Sequence, residues 1–183
     1  MAKILDPEEI KKQQLFSGQV KALVTAGGRS PKALVITYGC QQNENDSERI
    51  RGMLKGMGYG FTEEKEEADL ILYNTCAVRE GAEQRVFGNI GALVHEKRRR
   101  PELLIGLCGC MAQEEHMEKT IKQKYKHVSL VFGTHSLYKL PQILFEAIRE
   151  EKTVFSVEQS EGFIVEDIPI YRKGDPKAWV SVM

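Results

Sequence analysis

Cys40, Cys76 and Cys110 each stand where an apolar run gives way to a polar, helix-forming stretch. Ala33-Leu34-Val35-Ile36-Thr37-Tyr38-Gly39-Cys40 leads into Gln41-Gln42-Asn43. Leu70-Ile71-Leu72-Tyr73-Asn74-Thr75-Cys76 leads into Ala77-Val78-Arg79-Glu80, and Leu103-Leu104-Ile105-Gly106-Leu107-Cys108-Gly109-Cys110 into Met111-Ala112-Gln113. Each pattern reads as a buried strand, a tight polar turn and the start of a crossover helix. In an open parallel sheet such turns share the carboxyl edge, where the ligands of doubly wound folds collect. Thiolates converging there make a metal or cluster site.

A single buried cysteine is ordinarily a small hydrophobe. Three at equivalent strand ends are not explained that way. Three thiolates leave one metal position without protein sulfur. On zinc an open fourth position marks a catalytic site; on a [4Fe–4S] cluster one iron can take an exogenous ligand. The three helix N-termini that follow would offer N–H groups and positive dipole ends to an anionic cluster, which favours the cluster without excluding zinc. Cys108 complicates the count, because residues i and i+2 of a strand face the same way. It lies inside the apolar run, whereas Cys110 sits at the turn, so Cys110 is assigned as ligand and Cys108 as core.

The elements that must position these residues alternate along the chain. Strands are expected at Ala33–Thr37, Asp69–Tyr73, Leu103–Leu107 and Ser129–Phe132. Helices are expected over 45–57, 79–99, 113–125 and 137–149, with Gly58 and Pro101 as stops. This alternation specifies an α/β fold: an open, mainly parallel sheet with helices on both faces, a doubly wound, flavodoxin- or Rossmann-like three-layer sandwich. Residues 1–31 read as an N-terminal appendage. There Asp6 caps a short helix, Pro7 takes its first position, Glu9 closes a capping box and the helix runs to about Gly18. Residues 32–150 form the domain. Residues 151–183 hold an edge strand near Thr153–Val157, a linker, and an apolar strand at Trp179–Val182 that opens a further domain.

With 183 residues the chain buries one substantial core. Its 42% hydrophobic and 28% charged residues are ordinary for a globular protein. The apolar runs are too short to span a membrane, and the acidic N-terminus is not a secretory signal. The expectation is a cytoplasmic location, where spaced cysteines bind metal or catalyse rather than pair. Twenty-six basic residues balance 26 acidic ones, so any nucleic-acid contact must come from a local patch.

Thr37-Tyr38-Gly39-Cys40-Gln41-Gln42-Asn43, Asn74-Thr75-Cys76-Ala77-Val78-Arg79-Glu80 and Gly109-Cys110-Met111-Ala112-Gln113 resemble, in order, the three signatures of the N-terminal domain of radical-SAM methylthiotransferases. The resemblance covers about 32–183, with Phe132-Gly133-Thr134-His135 and Lys177-Ala178-Trp179-Val180 adding later segments. It implies that Cys40, Cys76 and Cys110 hold an auxiliary [4Fe–4S] cluster whose open iron carries the sulfur to be transferred. Gln42, where the family more often has methionine, adjoins a ligand without being one. The family's C-x-x-x-C-x-x-C motif is absent from this sequence. A second [4Fe–4S] cluster and S-adenosylmethionine would therefore belong to a following domain, and this chain alone would be inactive. The implied substrate is N6-isopentenyladenosine at tRNA position 37, methylthiolated at C2. The alternatives are threonylcarbamoyl-adenosine, a ribosomal-protein aspartate, or a non-catalytic zinc or ligand-binding module. The implied partners are tRNA and an electron donor such as a flavodoxin or ferredoxin, with the protein a monomer and no membrane involved.

Around the cysteines, Gln41, Asn43, Asn74, Arg79 and Glu80, with Arg85 beyond them, are candidates to hydrogen-bond cluster sulfurs and tune the site. Their plainer reading is turn chemistry and a Glu–Arg helix face. Lys97, Arg98, Arg99 and Arg100 close the second long helix. They are either cations favoured at a helix C-terminus or phosphate contacts for tRNA, extended by Lys119, Lys122, Lys124 and Lys126. His95, His116, His127 and His135 show no ligand spacing, and His135 in its Gly-Thr-His turn is the best outlier.

Overall fold

The computed structural model of the chain describes residues 3–77, 81–150, 152–157, 163–164 and 170–171. In chain order the elements are β1 (Lys3–Ile4), α1 (Pro7–Val24), β2 (Lys32–Tyr38), α2 (Gln41–Gly56), β3 (Gly60–Phe61) and β4 (Leu70–Thr75). There follow α3 (Ala82–Ala92), α4 (Val94–Arg99), β5 (Leu104–Cys108), α5 (Glu115–Lys124), β6 (Leu130–Phe132), α6 (Leu140–Arg149), β7 (Val154–Ser156) and β8 (Phe163–Ile164). Six strands form one sheet in the order β3-β2-β4-β5-β6-β7, and every neighbouring pair is parallel. β1 and β8 form a separate parallel pair. Renumbered within the six-stranded sheet, the order is that of a flavodoxin-like doubly wound fold with an added edge strand. Among the described residues no helix is long and apolar enough to cross a membrane.

A parallel sheet is covered on both faces, so its central strands are buried at every position. β4 and β5 are buried at every residue. The period of two then splits them between two cores. On one face Ala33, Val35, Leu70, Leu72 and Phe132 meet Val20 of α1, Ile50 and Leu54 of α2, and Leu140 and Leu144 of α6. On the other, Leu34, Ile71, Tyr73, Ile105 and Leu107 meet Val86 and Ile90 of α3 and Met117 and Ile121 of α5.

The expected elements are present, with shifted boundaries. α1 begins as expected, Asp6 Oδ1 accepting from the Glu8 N–H at 2.9 Å. Glu9 does not close a capping box: its carboxylate instead accepts from Gln13 Nε2 at 2.7 Å. The helix also runs past Gly18 to Val24, because its inward face continues to the fully buried Val20. One helical glycine costs only about 1 kcal/mol. The helix expected over 79–99 is two helices. Gly88 and Gly91 weaken its middle, and the Leu93 N–H bonds the Ile90 carbonyl at 3.1 Å, tightening the turn before α4. Two-residue β3, with its glycine, was not marked in the sequence by any apolar run. Arg79, Glu80 and Trp179–Val182 lie outside the described residues, as does most of the expected linker.

Gly106 lets the sheet close on the α2/α6 side. A side chain there would place its first carbon 2.9 Å from Leu130 Cγ and nearer still to Leu72. Gly106→Ala should therefore lower unfolding stability by about 1–3 kcal/mol through overpacking. Urea denaturation measures this, and an unchanged midpoint would mean that both leucines move aside freely.

Candidate metal centre

β2, β4 and β5 are consecutive neighbours in the sheet and run the same way, so their carboxyl ends share one edge. Cys40 follows β2 and caps α2, Cys76 follows β4, and Cys110 follows β5 after Gly109. The boundary between β2 and β4 is where chain order reverses, the ligand crevice of this topology. Strands about 4.8 Å apart put the β2 and β5 ends within about 10 Å, a gap that side chains can close. The ladder continues to the site itself, with the Cys76 N–H donating to Tyr38 O at 2.9 Å. Gly109, at φ +95°, lies so close to β4 that an added Cβ would meet Asn74 Oδ1 and Thr75 O at 2.5 Å. Only glycine combines that backbone with that clearance. Its presence seats the third turn directly on the second.

The thiols are free and differ in exposure: Cys40 is exposed, Cys110 half-buried and Cys76 buried. They also feel one another. The Asn43 backbone N–H is the main cause lowering the Cys40 pKa below the usual thiol value, with the Gln42 N–H and the Cys76 thiol adding to it. These N–H groups belong to the first turn of α2, which favours a thiolate at its start. Burial raises Cys110, and the neighbouring charges of Cys76 and Cys40 add to the effect. Of the three helix N-termini expected at the site, that of α2 begins directly beside Cys40, whereas Cys110 opens a 3-10 turn over Cys110–Gln113; residues 78–80, which follow the Cys76 turn, lie outside the described residues. Cys108 is 1% exposed within the α2/α6-side core, and burial raises its thiol well above the ordinary value.

Asn74 and Thr75 are strand residues rather than the turn expected of them, because tertiary hydrogen bonds satisfy their polarity. Asn74 is fully buried; its Nδ2 donates to Asn43 O at 2.8 Å and Ser47 Oγ at 2.9 Å, and its Oδ1 accepts from Asn43 Nδ2 at 3.1 Å. Asn43 Oδ1 in turn accepts from the Cys40 N–H at 3.2 Å and from its thiol at 3.3 Å. Ser47 shares a 2.8 Å hydroxyl–hydroxyl bond with Thr37. One buried network thus ties Cys40 to both strands of the crevice.

Sequence reasoning missed Thr37, Asp46 and Ser47. The signal was available: 43, 46 and 47 precede Ile50, Met53 and Leu54 on the inward stripe of α2, so polar residues there had to be buried. Asp46 is 5% exposed, and Gln42 Nε2 donates to its Oδ1 at 3.0 Å. Burial raises its carboxyl to about 6, against the opposing effects of Gln42 and Arg49. Its charge reaches both Cys108 and Cys110.

The other candidates take no part in that buried network. Gln41 and Arg85 are exposed. Lys97 to Arg100 end α4 just before β5 begins, at the sheet edge opposite the cysteines. Lys97 Nζ donates to Pro101 O and Leu103 O at 2.7 Å, and Arg100 donates to Ala68 O and Lys65 O at 3.0 Å. These two cations hold loops, while Arg98 and Arg99 are exposed. His116 bonds Glu83, and His127 bonds Ile90 O. His135 lies in the turn after β6, at the cysteine edge.

Among the described residues no three His, Cys, Asp or Glu side chains gather tightly enough to chelate a single metal ion. The donor set is three sulfurs spread over three strands, with backbone N–H groups on one of them and glycines clearing the turns. That suits a soft, multi-atom centre better than one ion.

Residues 32–133, which carry β2 through β6 and all three cysteines, match the uncharacterized protein family UPF0004. The chain belongs to that family. Its UPF0004 region also extends into curated relatives. The tRNA-2-methylthio-N(6)-dimethylallyladenosine synthase of Alkaliphilus oremlandii is 47% identical over 180 residues, 98% of this chain and 38% of the relative. The enzyme of the same name from Acetivibrio thermocellus is 44% identical over 183 residues, and that from Bacillus mycoides 46% over 183 residues. This chain spans 38% and 36% of those two relatives.

The raised carboxyl of Asp46 gives this UPF0004 domain a pH signature. Between pH 4 and 6 the folded chain keeps a proton that the unfolded chain has lost, so this group's contribution to stability falls as pH rises. Above 6 the full cost of a buried carboxylate remains. Asp46→Asn should stabilise the metal-free chain by roughly 1–3 kcal/mol at pH 7, and the gain should vanish by pH 4. Urea melts at both pH values check this; a destabilised variant at pH 7 would refute it.

Proposed function

We propose that this chain is the cluster-binding part of a tRNA methylthiotransferase, with Cys40, Cys76 and Cys110 as ligands of a [4Fe–4S] cluster. The observation that carries the reading is the placement of three thiols just beyond the carboxyl ends of adjacent parallel strands. Bound to three protein thiolates, such a cluster supplies an iron open to an exogenous sulfur ligand.

The chain's own residues provide the holding. The first turn of α2 stabilises the Cys40 thiolate, Asn74 fixes Asn43 beside it, and Gly109 brings the Cys110 turn against β4. Arg79 and Glu80 follow Cys76 in sequence and complete the set proposed to tune it. A zinc module is the second reading. It would need three sulfurs within about 4 Å of one another, as Zn–S bonds near 2.3 Å in a tetrahedron require.

The relatives' names support C2 of N6-isopentenyladenosine (dimethylallyladenosine) in tRNA as the substrate of the whole protein. The other family substrates stay secondary. S-adenosylmethionine, a second [4Fe–4S] cluster and a flavodoxin- or ferredoxin-type electron donor belong to the whole enzyme, proposed to be a cytoplasmic monomer. With Lys97 and Arg100 committed to loops and Arg99 paired with Glu96, phosphate contact falls first to Arg98, away from the thiols.

Anaerobic reconstitution with iron and sulfide should load about four irons per chain. Cys110→Ala should abolish stable loading. Cys108→Ala should keep the cluster while losing about 1–2 kcal/mol of stability to a small cavity. Stoichiometric zinc without iron would favour the zinc module, and the reverse cysteine pattern would reassign the ligand.

Given S-adenosylmethionine, reductant and isopentenylated tRNA, the chain alone should release no 5′-deoxyadenosine by mass spectrometry. Its cysteines offer only C-x-C at 108–110 and no C-x-x-x-C-x-x-C triad. Catalytic 5′-deoxyadenosine would overturn this division of labour.

A further inference from the structure

β3 and β7 are the opposite edges of the six-stranded sheet. The chain leaves the sheet at Ser156 on the β7 edge, yet Tyr171 lies at the β3 edge. Its ring stacks on Phe61 of β3 with centroids 5.1 Å apart and planes 26° apart. Lys55 Nζ sits 4.4 Å from the centre of the same ring. The Tyr171 N–H donates to Glu48 O at 3.1 Å, in the middle of α2. A backbone bond, an aromatic stack and a cation over the ring therefore hold one residue against two different elements. Five strand spacings of about 4.8 Å make a crossing of about 24 Å. The roughly 15 residues after Ser156 reach up to about 50 Å, so the crossing is easily spanned.

A sheet edge exposes unpaired backbone groups, which proteins manage by keeping the edge strand short, as β3 is, or by covering it with another segment. Tyr171 and a half-enclosed space of about 330 Å³ lined by Arg51, Lys55, Phe61 and Glu63 occupy that edge. We propose that Tyr171 is a docking anchor that fastens the chain leaving the α/β domain to the β3 edge and to α2. The occupant of this surface is the protein's own segment around 170–171. α2 carries Cys40 at its start and the anchor's hydrogen-bond acceptor eight residues on, about 12 Å along a rigid helix. The helix that holds the first thiol thus also sets where the departing chain leaves the domain. This inference stands whether or not the thiols carry a cluster.

Limited trypsin digestion of the whole chain tests it, because Arg172 and Lys173 follow the anchor directly. The wild-type chain and Tyr171→Phe, which keeps the ring, should be cut there at the same slow rate. Tyr171→Ala should be cut about 10-fold faster and Lys55→Met about 3-fold faster, as expected for loss of one stack and one cation–ring contact. Cleavage within 32–150 should not change, which separates release of the anchor from general unfolding. Hydrogen exchange at the Tyr171 amide should accelerate in step with cleavage. Cleavage after Arg172 as fast in the wild-type chain as in Tyr171→Ala, or a Phe variant behaving like the Ala variant, would overturn the proposal.

Discussion

Everything at the candidate centre depends on β2, β4 and β5 being parallel neighbours. Parallel pairing gives each strand the same polarity, so each following turn emerges on one edge. Cysteines far apart in sequence are thereby brought within side-chain reach. Antiparallel pairing of β4 alone would carry Cys76 to the far edge and leave two thiols. The six-residue register from Ala33↔Leu70 to Tyr38↔Thr75 fixes that pairing. A slip of one residue would exchange the two cores, so the register is strongly held.

Holding three turns close together requires departures from an ordinary core. Asn74, Asn43 and Ser47 are buried polar residues beside the ladder, where apolar side chains would pack with less risk. Each unsatisfied partner would cost about 1–3 kcal/mol, and the network satisfies them reciprocally. Asp46 is less well served: Gln42 bonds one oxygen, and burial still raises its carboxyl to about 6. Such locally costly choices are expected at a working site rather than in a structural core.

The strands and helices were legible because their apolar runs have clear periods, and the cysteine edge followed from topology alone. Asn74 and Thr75 were misplaced because local polarity signals a turn, whereas only the folded structure reveals the α2 side chains that satisfy them. The start of α2 was set four residues late, since cysteine is not an expected helix cap and the reciprocal Cys40–Asn43 bond is local geometry. Asp46 went unmarked although its position on the inward stripe was readable. The edge occupied by Lys97–Arg100 was readable too. A helix that starts after one strand's carboxyl end must finish near the next strand's amino end, and so carries its last residues away from the thiols.

The same helix geometry makes Cys40 and Cys110 unequal. α2 begins at Cys40 and aims its first N–H groups at that sulfur, lowering its pKa. Cys110 opens a 3-10 turn, is half-buried and feels the charge of Asp46 and of both other thiols, which raises it. A 3-10 turn supplies few aligned peptide dipoles, so little offsets that burial. The thiolate is therefore easier to form at the exposed Cys40 than at Cys110. A cationic metal core, if these residues hold one, would supply at Cys110 the attraction that its 3-10 turn does not.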